Sequence, residues 1–177
     1  MSTHNKRQRG VNLIELIVVL SVLTISVVAG IPGFSHFVTR MDRTTAIMDL
    51  TSSVQLARSE AARRSLPVTI CSSADATQCS ASTNHDWSNG WLVFVDAAQD
   101  RSFNGDDELL AVVAYNTPRF TMTTDNHLGS GFVIRADGFL TRASVGTMSY
   151  CDAFESRDLY LNYTGRLDID VTESPCP

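Results

Sequence analysis

The first apolar stretch of the chain runs from Val11 to Ile31, and few of its 21 residues are polar. As a helix it would extend roughly 30 Å, the thickness of the hydrocarbon core of a bilayer. Basic residues precede it, at Lys6, Arg7 and Arg9. The pattern predicts a polar, basic segment over residues 1–10 and a transmembrane helix over residues 11–31, with a cytoplasmic amino terminus.

An ordinary secretory signal peptide, cut after Ala29, is the alternative for this stretch. The apolar core of a signal peptide is 7–15 residues long and uncharged. This stretch is longer, contains Glu15, and is followed by further helical periodicity beyond Ile31. The pattern therefore favours a retained helix.

A narrower apolar stripe follows. Apolar residues recur at steps of three and four, which is typical of an amphipathic helix, at Ile47, Leu50, Val54, Ala57 and Ala61. The charged residues lie mainly off this stripe and are expected to face solvent: Arg40, Asp42, Arg43, Asp49, Arg58, Arg63 and Arg64. A coiled coil is the alternative for this half, although small residues at 57 and 61 favour close packing on a sheet.

The two helical segments are expected to form one helix with a kink at Pro32, because proline removes a helix hydrogen bond. The amphipathic part continues the helix over residues 32–66. Pro67 and the β-rich sequence after it end the helix near Ser65.

Strand-like patterns fill the rest of the chain. β-Branched and aromatic residues predict seven strands, at Val68–Cys71, Trp91–Val95, Leu109–Tyr115, Phe132–Arg135, Phe139–Thr141, Leu159–Tyr163 and Leu167–Val171. The second is apolar throughout and should be central and covered on both sides. The last alternates strictly, so one of its faces should be buried. Asp137 and Gly138 predict a hairpin turn. The fold class is α+β: a long helix, half in the membrane, packed on an antiparallel β-rich domain over residues 67–177.

The four cysteines all lie after the apolar helix, and none stands in a Cys-x-x-Cys pattern. An even number in that position indicates disulfides in an oxidising compartment rather than a zinc site. Three pairings are possible. We favour Cys71–Cys79 with Cys151–Cys176, because both close local segments.

The charge balance argues against a domain built to bind phosphates. The whole chain has a net charge of −5, and residues 66–177 contain six arginines, no lysine and fifteen acidic residues, a balance of −9. Non-specific binding to nucleic acid needs several cations near phosphates.

Glu15 needs a partner, because a carboxylate within an apolar helix costs on the order of 3 kcal/mol in a membrane. Cleavage of the chain after Gly10 would create one, since the new amine of Val11 would lie one helical turn away. The alternative is a glutamate that reaches the membrane surface.

The segment Arg9–Leu16 resembles the class III signal of type IV prepilins: a short basic leader, a glycine, then an apolar helix with glutamate at its fifth mature residue. The resemblance implies cleavage after Gly10 and N-methylation of Val11 by a membrane prepilin peptidase. It also implies that Glu15 pairs with an amino terminus during filament assembly. Val11 and Asn12 stand where phenylalanine and threonine are usual.

The remainder resembles the GspH/FimT-type minor pilins and pseudopilins, and most closely the FimU-type minor pilins. The resemblance rests on Ala57–Ala61, Val68–Cys71, the Trp-Ser-x-Gly-Trp run in Trp87–Asp96, and Gly165 with Arg166. It implies an inner-membrane subunit, anchored by a single helix, that joins a filament with other major and minor pilins. The alternatives within the family are a type II secretion pseudopilin and a DNA-binding competence pilin. Some FimT-like members bind DNA through Gly-Arg-x-Arg, and Asp168 replaces its second arginine here, so Arg166 is a doubtful DNA-binding residue.

Other candidate chemistry is sparse. The acidic loop at residues 96–108 lacks the Asp-x-Asn/Asp-x-Asn/Asp-Gly spacing that calcium sites use. His36, His85 and His127 stand in no metal-ligand pattern. We expect no catalytic residues, no metal, no cofactor and no enzymatic activity.

Overall fold

The computed structural model describes residues 12–81, 85–116 and 118–172. Within these ranges, the side chains at positions 27–33, 143 and 172 are not described. The chain divides after Val38 into two units, residues 1–38 and residues 39–177, and most of the described fold belongs to the second.

One helix, α1, extends from Leu13 to Arg64. At its start the backbone N–H groups of Glu15 and Leu16 donate to the Asn12 carbonyl, and asparagine is among the residues that favour this position. At its end Ser65 adopts a left-handed conformation with φ 56°, which commonly terminates helices. The helix therefore ends where the sequence predicts.

Eight strands follow: β1 (Val68–Ser72), β2 (Gly90–Val95), β3 (Glu108–Ala114), β4 (Thr121–Thr124), β5 (Gly131–Ile134), β6 (Gly146–Cys151), β7 (Ser156–Leu161) and β8 (Leu167–Thr172). They form two four-stranded antiparallel sheets. Sheet A has the order β3-β2-β1-β5, and sheet B has the order β4-β6-β7-β8. The predicted α+β architecture is confirmed.

The core lies between the second half of α1 and the inner faces of both sheets. The predicted stripe is buried along its whole length, from Ile47 to Ala61. Ala57 and Ala61 are fully buried, and such small side chains allow the helix close to the sheet. The Trp91 indole N–H donates to the Ser53 hydroxyl at 2.9 Å, which ties β2 to the helix inside the core.

β2 is central in sheet A, between β1 and β3, and all six of its residues are buried. Its inner face packs into the main core, while Leu92 and Phe94 form a small second cluster on the opposite face with Phe103. Both faces of this strand are covered, as predicted.

One predicted strand is wrong, and two strands of the structure were not predicted. Phe139–Thr141 is not a strand, because only Leu140 bridges to β5 and a short 3-10 helix begins at Arg142. Asp137 and Gly138 do form a turn, closed by the bond from the Arg135 N–H to the Phe139 carbonyl. β4 and β6 were not predicted, because their threonines, serines and glycine interrupt any apolar run.

The alternating strand β8 also differs from its prediction. Ile169 and Val171, expected on a buried face, are 46% and 49% exposed. β8 is an edge strand of sheet B, and of its alternating apolar residues Leu167 packs partly against the core, whereas Leu159 and Leu161 on the neighbouring β7 are buried. Alternation predicts which side chains share a face, whereas the position of the strand in the sheet decides whether that face is covered.

Candidate functional site

The first turns of α1 carry an apolar surface on every side. All residues from Asn12 to Ser26 are exposed, and the large apolar side chains among them are each at least half exposed. A helix that is apolar all round requires burial in a larger assembly or in lipid. This exposed helical surface is therefore a candidate interface.

Glu15 lies in the first turn of α1 and is exposed among these apolar neighbours. A carboxylate at this end of a helix is favoured by the helix dipole. Its predicted partner, the amine created at Val11, and the cleavage position at Gly10 both lie outside the described residues. Pro32 falls within the bounds of α1, and its role as a kink remains a prediction.

Within the described residues, no helix is both long and apolar enough to cross a membrane. Part of the predicted span, residues 11–31, lies outside this description, namely position 11 and the side chains at positions 27–31.

The Cys71–Cys79 disulfide is present, with an S–S distance of 2.06 Å. It closes a short loop beside the outer face of sheet A. Cys151, at the end of β6, is also disulfide-bonded. Cys176, its predicted partner, lies outside the described residues.

A buried ion-pair cluster fixes α1 to sheet B near the start of the second unit. Arg43 donates from Nε and Nη2 to Asp152 Oδ2 at 2.8 and 2.7 Å, and its Nη1 lies 2.7 Å from Glu155 Oε1. Both Arg43 and Asp152 are almost fully buried. Asp152 Oδ1 also accepts the N–H groups of Phe154 and Glu155, so the same carboxylate shapes the β6–β7 turn.

Sequence analysis placed Arg43 on the solvated face of the helix, and that prediction is wrong. Arg43 precedes Ile47 by four residues, so it continues the apolar stripe by one turn towards the amino terminus. Its spacing from the stripe could therefore have predicted that Arg43 is buried. Its partner Asp152 is 109 residues away, and no local pattern identifies it.

The turn between β7 and β8 holds the doubtful DNA-binding residue. Arg166 is exposed, and its Nε lies 3.0 Å from Asp168 Oδ1. Asp170 stands opposite Asp158 in the register of β7 and β8, so the same face carries further negative charge. A phosphate that approached Arg166 would meet these carboxylates, which weakens the case for DNA binding at this turn.

Gly165 in the same turn has a structural role. Its φ is 72°, and a Cβ there would lie only 2.8 Å from Cδ of Arg58. Arg58 uses the space to donate from Nε to the Gly138 carbonyl at 3.1 Å. The glycine of the family motif therefore permits a contact between the helix and two turns.

The acidic loop is organised by its own buried carboxylate. Asp96 accepts a 2.7 Å hydrogen bond from the Thr69 hydroxyl, together with the N–H groups of Asp100 and Arg101. Burial and the neighbouring acidic groups raise the pKa of Asp107. Among the described residues, no group of three or more histidine, cysteine or acidic side chains could hold a metal ion.

A long helix packed on antiparallel sheets, with an exposed apolar amino-terminal half, defines a pilin-type subunit. Residues 46–165 match the family described as type II transport protein GspH. Because the match covers more than half of the sequence, the chain belongs to the GspH family.

The crystal structures of the type IV minor pilin FimU from Pseudomonas aeruginosa are similar to this chain. One superposes with a TM-score of 0.55 at 19% identity, over 78% of this chain and 98% of the chain in the crystal. A second crystal form gives a TM-score of 0.49 at 18% identity, over 74% and 98%. The first likeness establishes a shared fold. No curated protein sequence matches the chain.

Proposed function

We propose that this chain is a minor pilin, a processed and non-enzymatic subunit that is incorporated into a type IV pilus or primes its assembly. The observation that carries the proposal is the exposed apolar helix from Leu13 onward, with Glu15 in its first turn, ahead of a compact β-rich domain. Membership of the GspH family and the fold shared with FimU support it.

In this proposal residues 1–10 are a leader removed by a prepilin peptidase, which then methylates the amine of Val11. Residues 11–31 anchor the subunit in the bacterial inner membrane, and residues 32–66 continue the helix into the domain at 67–177, which lies in the periplasm. The apolar helix later exchanges lipid for the helices of neighbouring pilins. This exchange costs little, since lipid tails and apolar side chains are similar environments.

Glu15 is the residue that makes assembly specific. In lipid its carboxylate is energetically unfavourable, whereas in a filament it can pair with an amino terminus. The charge therefore favours the assembled state without a requirement for tighter apolar packing.

The test is Glu15→Ala in the full chain, expressed in cells of its own species. We expect unchanged cleavage and membrane insertion, but at least a tenfold lower amount in sheared filaments. Ser21→Ala is the matched control, because the Ser21 hydroxyl donates to the Ile17 and Val18 carbonyls of its own helix turn. Normal incorporation of the Glu15 variant would overturn the proposed role of the carboxylate.

A type II secretion pseudopilin is the second candidate, and the description of the matched family favours it. The two functions differ in phenotype. Deletion of the gene should remove surface pili if the chain is a minor pilin, whereas it should block export of secreted proteins if the chain is a pseudopilin.

A further inference from the structure

Aromatic rings form a continuous line of contacts inside the second unit. The ring centroids of Trp87 and Trp91 lie 6.4 Å apart, and those of Trp91 and Tyr115 lie 6.0 Å apart. Both tryptophans are fully buried, whereas Tyr115 is partly exposed. Such pairs pack the core as aromatic side chains usually do. They also connect the two tryptophans of the chain to one of its four tyrosines.

Tyr115 has a proton acceptor that suits an oxidised phenol. Its hydroxyl donates to Asp49 Oδ2 at 2.7 Å, which is the length of a strong bond to a carboxylate. Burial, and to a lesser extent this bond, raise the pKa of Tyr115, so the resting phenol keeps its proton. A phenol that has lost an electron is a strong acid, and here its proton can pass to Asp49 without movement of either side chain.

The two indole N–H groups donate to uncharged acceptors instead. Trp87 Nε1 donates to the Gly129 carbonyl at 3.0 Å. Trp91 Nε1 donates to the Ser53 hydroxyl at 2.9 Å. Because both acceptors are weak bases, an indole that loses an electron here keeps its N–H proton and stays a strongly oxidising radical cation. Such a cation takes an electron from a neighbouring ring that can release a proton.

The other three tyrosines lack this combination in the described part of the chain. Tyr150 stacks on Phe120, a ring that is much harder to oxidise than an indole. The Tyr163 hydroxyl accepts from Arg135 Nη1 at 3.4 Å, so a cation lies where a proton acceptor is needed. Tyr160 is 47% exposed on β7, and none of the described ring contacts joins it to a tryptophan. Tyr115 is therefore the tyrosine whose surroundings suit a radical.

We propose that Trp91, Tyr115 and Asp49 form a one-electron relay, which restores an oxidised tryptophan and places the radical on Tyr115. Its co-reactants are a radical-type oxidant that is strong enough to oxidise an indole, and a thiolate reductant. The relay goes beyond the proposed function and does not depend on it, because all three residues lie within the second unit of one chain.

The steps of the relay balance in electrons and protons. The oxidant takes one electron from Trp91, directly or through Trp87, and leaves an indole radical cation. Tyr115 then gives one electron to Trp91, while its O–H bond breaks and the proton moves to Asp49 Oδ2. Trp91 is restored, Tyr115 is a neutral phenoxyl radical and Asp49 is a neutral acid. A thiolate that reaches the partly exposed Tyr115 gives it one electron and becomes a thiyl radical, and the proton returns from Asp49.

The test is laser flash photolysis of the full chain in detergent, at a wavelength that photo-ionises tryptophan but that tyrosine does not absorb. The flash oxidises the buried indoles in place. It ejects one electron into the solvent, where nitrous oxide and tert-butanol remove it. Transient absorption then follows the bands of the indole radical and of the phenoxyl radical. In the unmodified chain, the indole band should decay at the rate at which the phenoxyl band rises.

Matched variants separate the parts of the relay. Tyr115→Phe should lower the phenoxyl yield at least tenfold and prolong the indole radical. Asp49→Asn keeps an oxygen for the hydrogen bond but removes the base, so the phenoxyl rise should slow at least tenfold. Tyr150→Phe is the control, since it makes the same change at a buried tyrosine outside the relay, and it should leave both yield and rate unchanged.

A second measurement needs no substitution. A nitroso spin trap added to the unmodified chain, followed by peptide mapping, should place the adduct on Tyr115. A normal Cys71–Cys79 disulfide and normal tryptophan emission show that the variants fold; if Tyr115→Phe does not fold, the spin trap decides. Two results would overturn the inference: an unchanged phenoxyl yield in Tyr115→Phe, or an adduct on a tyrosine other than Tyr115. An unchanged rate in Asp49→Asn would overturn the role of Asp49 as the proton acceptor.

Discussion

Replacement of Arg43 by methionine tests the buried contact between α1 and sheet B. The variant keeps most of the apolar stem but leaves the buried Asp152 carboxylate without its cation. Breaking a buried ion pair in this way costs about 3–5 kcal/mol. Asp152 still accepts two backbone N–H groups, so we expect the lower end of this range, about 3 kcal/mol in the free energy of unfolding.

The assay is urea unfolding of the full chain in detergent, followed by tryptophan fluorescence. Trp87 and Trp91 are both fully buried in the core, so their emission reports on this unit. The urea concentration at the unfolding midpoint should fall, while the slope of the unfolding free energy against urea concentration stays unchanged. Arg40→Met is the control, since Arg40 is exposed three residues away and surface substitutions usually change stability by no more than about 0.5 kcal/mol.

A double-mutant cycle separates the pair from general damage. Asp152→Asn retains an oxygen for the turn but removes the charge. If the two side chains act together, the double variant should lose about 1–3 kcal/mol less than the sum of the single variants. The buried ion pair would be refuted as a source of stability if the losses in unfolding free energy were strictly additive, or if Arg43→Met lost less than about 1 kcal/mol.

Four further results are expected. Intact mass of the extracted protein should show loss of residues 1–10 and one added methyl on Val11. Cys71→Ser should destabilise the domain by roughly 2–4 kcal/mol in urea unfolding, because the closed loop restricts the unfolded chain. Hydrogen bonds from two arginines lower the pKa of Glu60 from 4.5 to about 2. The contribution of Glu60 to stability is therefore present above pH 4.5 and is lost as the pH falls towards 2. The thermal unfolding temperatures of the wild type and of Glu60→Gln should converge near that pH. The part of the chain from about Ala46 onward should bind DNA weakly in gel shifts at low salt, and Asp168→Arg should strengthen binding.

Specific outcomes would contradict these expectations. A mature terminus at Gly30 would refute prepilin processing, and free thiols in periplasmic protein would refute the compartment argument. A stability difference for Glu60→Gln that does not change between pH 5 and pH 2 would show that the arginine bonds do not persist in solution. Micromolar, salt-sensitive DNA binding that Arg166→Ala abolishes would favour the competence-pilin alternative.

Much of the fold was predictable because it depends on local periodicity. The spacing of apolar residues at 3.6 per turn identified α1 and its buried stripe, from Ile47 to Ala61. An unbroken apolar run identified β2 as a central strand. Short polar strands such as β4 could not be found this way, since their hydrogen bonds depend on a partner strand far away in sequence.

The sequence by itself determined the helix, the class of fold and the candidate processing signal, since spacing and composition alone encode these features. Only the tertiary structure decided which charges are buried and which sheet edges are open. Arg43 is buried because Asp152 arrives from 109 residues away. Val112 is exposed because β3 is the last strand of its sheet. Both facts depend on which elements become neighbours, and that is decided by packing of the whole chain rather than by any local pattern.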